Sequence, residues 1–90
     1  MKVAHIFISG FVQGIGFRQF IKINANRLGI TGWVRNTPDD RVEAVFSGQK
    51  EKIEEMIKLC RKGPFLAEIK EVHVEWEDST ENFETFEIVV

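Results

Sequence analysis

Apolar and polar positions follow two different periods along this chain, and the switches between them mark its elements. Val3 to Ser9 is a short, largely apolar run closed by Gly10, too brief for a stable helix, and reads as a buried strand. After the glycine-bearing stretch Gly10 to Gly16, the residues Phe17, Phe20, Ile21, Asn24, Ala25 and Leu28 recur at helical spacing. Gly29 stops that helix. Thr31 to Asn36, with Trp33 and Val34, favours a second strand, and Thr37, Pro38, Asp39 and Asp40 have the composition of a turn. Val42, Ala44 and Phe46 then alternate with Glu43, Val45 and Ser47, predicting a third strand that pairs back as a hairpin with one face more apolar.

The period returns to helical from Gln49 to Arg61, where Ile53, Met56, Ile57 and Cys60 form one stripe opposite Lys50, Glu51, Glu54, Glu55, Lys58 and Arg61. Gly63 and Pro64 end it. Val72, Val74 and Trp76 alternate with Glu71, His73, Glu75 and Glu77 in a half-buried strand, and a polar turn from Asp78 to Asn82 leads to a last strand, Phe83 to Val90. The order is strand, helix, strand, strand, helix, strand, plus one. This predicts an α+β, ferredoxin-like split βαβ fold, an antiparallel sheet with both helices on one face.

At 90 residues, residues 1–90 are expected to form a single domain around one core. Eight Phe and two Trp supply apolar surface enough to fold without a disulfide or structural metal, and the lone Cys60 cannot form an intrachain bridge. A formal net charge of -2 provides no general field toward nucleic acid or anionic membrane, so any anion site must be local. The apolar run near the start is too short for a signal peptide or a span, and a cytoplasmic protein is expected.

Two features carry candidate chemistry. Gly10, Phe11, Val12, Gln13, Gly14, Ile15, Gly16, Phe17 and Arg18 join a strand to the start of a helix. The backbone N–H groups of such a turn, with those of the helix's first turn and the positive end of its dipole, form an anion site. Arg18 adds a planar guanidinium able to grip phosphate oxygens in pairs. The same residues also suit a flexible glycine connector with Arg18 solvated, and the spacing is not that of a Walker loop. The second feature is Asn36. If the first and second strands run parallel two strand spacings apart, about 10 Å, Asn36 ends at the same edge as the glycine turn. By position alone Asn36 also suits an ordinary turn residue before Pro38.

Gly10, Val12, Gln13, Gly14, Phe17 and Arg18, followed by Gly32, Trp33, Val34, Arg35 and Asn36, resemble the two signature segments of the acylphosphatase family. The similarity continues through Leu28 and Gly29, Val42 and Glu43, Gly63 and Pro64, and Val74 to Trp76. It implies hydrolysis of acyl phosphates, with Arg18 and Asn36 catalytic, Arg18 on the phosphate, Asn36 orienting the nucleophilic water, and no metal or organic cofactor. Gln13, Gly14, Ile15, Gly16, Phe17 and Arg18 are the expected phosphate-binding residues. The expected partner is a small acyl phosphate, with no nucleic acid or membrane, and the protein is expected to be a monomer. The chemistry agrees: a carboxylate leaves without protonation, and loose phosphoryl transfer depends on positioning and charge stabilisation.

Two positions depart from the family pattern. Phe11 stands where many relatives carry a polar or basic residue and is expected to bury against a neighbouring loop. Asp40 replaces the usual Gly of the turn before Val42, and is expected in the left-handed region. A rival reading is a ferredoxin-like RNA-binding module, since Gly14 to Phe20 superficially resembles the aromatic signature of that fold. The stretch straddles a loop and a helix, Ile15 replaces a stacking aromatic, and the chain is acidic, all of which oppose it. Two further alternatives keep the fold: a domain of a larger carbamoyl-transferring protein, against which the chain's length counts, and a non-catalytic domain that binds acyl or carbamoyl phosphate, against which the presence of both Arg18 and Asn36 counts. His5 and His73 lack the spacing of a zinc site, Cys60 suits a core thiol, and Ser9, Ser47 and Ser79 have no adjacent base.

Overall fold

The computed structural model describes residues 1–78 and 82–90. The elements are β1 (Lys2–Phe11), α1 (Phe17–Arg27), β2 (Thr31–Asn36), β3 (Val42–Gly48), α2 (Lys50–Lys62), β4 (Glu68–Glu77) and β5 (Phe86–Ile88). The sheet order is β4-β1-β3-β2-β5. The first four strands pair antiparallel as the pattern predicts, and β1 and β2 run parallel to each other on either side of β3.

The fifth strand departs from an all-antiparallel sheet: β5 lies parallel to β2, which makes the sheet mixed. It is also shorter than the apolar run Phe83 to Val90 suggests. Its ladder reaches only Gly32 to Val34 of the six-residue β2; Gly32 donates to the Thr85 carbonyl at 3.0 Å and Val89 to that of Val34 at 2.9 Å, extending the pairing one step each way. The predicted turn from Asp78 to Asn82 falls largely outside the described residues, as does Ser79.

The core lies between one face of the sheet and both helices. Ala4, Ile6 and Ile8 of β1, Val34 of β2 and Val42, Ala44 and Phe46 of β3 meet Phe17, Ile21 and Ala25 of α1 and Ile53, Met56, Ile57 and Cys60 of α2. Each helix therefore buries the stripe its period sets out. β3 is more enclosed than the alternation implies, because all seven of its residues are buried. As the middle strand it has neighbours on both sides, and the side chains of β1 and β2 close over Glu43, Val45 and Ser47 on the face without helices. Phe11 is not buried against a loop; it is 59% exposed at the end of β1, opposite Glu68.

Candidate active site

The chain leaves β1 through a turn that carries the site. Gly14 and Gly16 have φ of 76° and 78°, a region that side-chain-bearing residues enter at a cost. A Cβ at either would meet nothing within 4 Å, so it is the backbone conformation, not crowding, that calls for glycine. Gly16 caps α1, and among the described residues no side chain caps the N–H groups of the first turn, which also lacks any acidic residue. The positive end of α1 thus faces the turn with its donors uncommitted.

A pocket of about 170 Å³ opens here, lined by Val12, Gly14, Gly16, Phe17, Arg18, Gln19, Asn36 and Ile88. It unites the two features that the sequence separates by eighteen positions, Arg18 at the start of α1 and Asn36 at the end of β2. Among the described residues no acidic side chain pairs with Arg18. The Asn36 Oδ1 is buried and accepts no hydrogen bond from a described residue. An orphaned buried carbonyl costs on the order of 1–3 kcal/mol, which folding alone gives no reason to tolerate.

Not every expected phosphate residue lines this pocket. Gln13 turns away and donates from Nε2 to the carbonyls of Thr37 at 3.0 Å and Arg41 at 2.8 Å, tying the glycine turn to the β2–β3 hairpin. Ile15 packs against the core. In the opposite direction, Gln19 and Ile88 line the pocket without having been expected, while Val12 lines it from within the Gly10 to Arg18 segment. Ile88 had no legible address, since nothing in the chain's pattern says that the last strand lies beside β2.

The hairpin that holds Asn36 is itself braced. Asp40 takes a φ of 67°, as its place in the turn predicts. The Thr37 hydroxyl donates to Asp39 and accepts from the Arg41 N–H at 3.0 Å, and the Arg41 Nε donates to Asp39 Oδ2 at 2.9 Å. The hydrogen bond from Thr37, with the Arg41 guanidinium adding to it, holds the Asp39 carboxyl below the usual range.

Other reactive groups lie away from the pocket. Burial in the core pushes the Cys60 thiol up to about 12, so it carries no thiolate at neutral pH. His73 is exposed on β4, and His5 hydrogen-bonds to Glu43 at 2.6 Å on the face without helices. No group of three or more His, Cys, Asp or Glu side chains is placed to hold a metal among the described residues, and no described helix is long and apolar enough to cross a membrane.

The chain is similar to known proteins over almost its whole length. Residues 4–88 match the family model described as Acylphosphatase. An acylphosphatase of Trichormus variabilis is 49% identical over 84 residues, covering 93% of this chain and 82% of that protein. The crystal structure of acylphosphatase from Bacillus subtilis superposes with a TM-score of 0.97 at 30% identity, covering 100% of both chains. HypF from T. kodakarensis also matches, with a TM-score of 0.86 and 33% identity over 99% of this chain, but that is only 12% of HypF.

Proposed function

This chain belongs to the acylphosphatase family and hydrolyses acyl phosphates to a carboxylate and inorganic phosphate; we propose that Arg18 and Asn36 divide the catalytic work between them. Arg18 and the amides of Gly14 to Phe17 hold the phosphoryl oxygens. Asn36 holds the water.

The observation that carries this reading is the convergence on one pocket of Arg18, the start of α1 and the Asn36 Oδ1, none of which has a side-chain partner among the described residues. In a loose phosphoryl transfer the negative charge sits on the three equatorial oxygens throughout. A guanidinium and backbone N–H groups match that charge with little reorganisation. The water oxygen attacks phosphorus as the bond from phosphorus to the acyl oxygen breaks. The bonding pair leaves with the carboxylate, which needs no proton, and the proton lost by the water ends on the new phosphate or in solvent. A carboxamide is not basic, but it accepts and donates at once, which is what orienting a water in line with the leaving oxygen requires.

The same reading has the 90 residues acting as one domain, as a cytoplasmic monomer, with no metal and no nucleic acid in its action. It is tested by hydrolysis of acetyl phosphate by the wild type, Arg18→Ala and Asn36→Ala, with phosphate-ester controls and added chelator. Both variants are expected to lose turnover by about 100-fold or more, Arg18→Ala alone should weaken inhibition by inorganic phosphate, and chelator should change nothing. Full turnover in Asn36→Ala would sink the mechanism.

A further inference from the structure

The two halves of the site sit on strands that do not touch. β1 launches the phosphate turn and β2 ends in Asn36, while β3 lies between them. One side chain spans that gap. Glu43 of β3 is 7% exposed, and its two carboxylate oxygens are committed in opposite directions. Oε2 accepts from His5 Nε2 of β1 at 2.6 Å, and Oε1 accepts from Arg35 Nε of β2 at 2.7 Å.

We propose that Glu43 is a positioning residue for the hydrolysis, a clamp between β1 and β2 that sets where Asn36 holds the water relative to the phosphate turn. This rests on the assignment of Asn36 to the water. Arg35 and Asn36 are consecutive in a strand, so their side chains leave on opposite faces, and any shift or twist of β2 at Arg35 is carried to Asn36. Arg35 stands directly opposite Glu43 in the ladder, and Asn36 opposite Val42. His5 stands diagonally across from Glu43 on the other side, its ring 4.7 Å from Phe7 and 6.2 Å from Trp33, which fixes its orientation. Its Nδ1 lies 3.7 Å from a Glu77 oxygen.

A buried ion pair adds little to stability once desolvation is counted, and apolar residues fill such a place as well. What a carboxylate supplies that a valine cannot is direction: two short, charge-assisted bonds with narrow geometry, one to each strand that bears half of the site. Misplacing a reacting group by a fraction of an ångström lowers turnover without weakening the grip on phosphate.

Glu43→Gln keeps the shape but removes the charge and turns an N–H₂ group toward one of the two donors. The expected result, at a temperature well below melting, is a loss in kcat on acetyl phosphate of about tenfold, with inhibition by inorganic phosphate within about twofold of wild type. Arg35→Gln removes only the β2 half of the clamp from a partly exposed side chain and should act in the same direction, and the double variant should be no slower than Glu43→Gln alone. Wild-type kcat in folded Glu43→Gln would overturn the proposal, as would equal losses in kcat and phosphate binding, which mark a general loosening. Should Glu43→Gln not fold, Arg35→Gln decides by the same two readouts. If Asn36→Ala is inactive while Glu43→Gln and Arg35→Gln keep full kcat, the clamp alone fails; full turnover in Asn36→Ala removes the mechanism beneath it.

Discussion

At the scale of single residues, the site depends on positions where the backbone or a polar group is held in a state that folding does not favour. Asn36 Oδ1 is buried without a partner among the described residues, Gly14 and Gly16 hold a left-handed turn, and Asp40 alone among the described non-glycine residues has a positive φ. Asp40 differs from the others in lying outside the pocket. Replacing it with glycine removes strain on the order of 1 kcal/mol, so Asp40→Gly should melt about 4–8 °C higher while its turnover stays within about twofold of wild type. A lower melting temperature would show that the Asp40 side chain contributes more than its backbone strain costs. Phe11, an aromatic in an apolar stretch, suggests burial, yet at the end of β1 its side chain stays in solvent.

Among elements, the main question is what keeps the glycine turn against the hairpin, since neither has a core of its own. Gln13 supplies the link, with two hydrogen bonds from one amide to the carbonyls of Thr37 and Arg41. Gln13→Ala leaves those carbonyls to water and frees the turn. Inhibition by inorganic phosphate should weaken by about three- to tenfold and stability should fall by about 1–2 kcal/mol, read by titration and by urea unfolding. Unchanged phosphate affinity would place the phosphate on groups that do not depend on this link. The helices, by contrast, were fully legible, because each stripe of apolar residues has only one way to face a sheet: Ile53, Met56, Ile57 and Cys60 are all buried. The strand ends were less so. Phe83 to Val90 looks like one long strand, but only Phe86–Ile88 forms a ladder with β2.

For the whole molecule, acid stability should report on the bridge across the sheet. Burial alone would push the Glu43 carboxyl up, but the hydrogen bonds from His5 and then Arg35 outweigh it and leave it below the ordinary glutamate value. A carboxyl lowered on folding stabilises the protein above its unfolded value and loses that contribution as pH falls through the folded one. The stability gap between wild type and Glu43→Gln should therefore be constant above about pH 5 and close as the pH falls below it. A gap that keeps its size down to pH 3 would mean that the charge of Glu43 contributes nothing. The chain by itself determined the element order, the two apolar helix stripes and the left-handed turn at Asp40, because these follow from local period and turn chemistry, and its motifs singled out Arg18 and Asn36 as the pair we propose for the chemistry. Only the tertiary structure decided that β5 runs parallel beside β2 and brings Ile88 to the pocket, that the Gln13 side chain bonds to the hairpin, and that Glu43 joins strands which never touch. Those outcomes depend on which segments distant in sequence become neighbours, and pairing across a sheet leaves no mark on either partner's own periodicity.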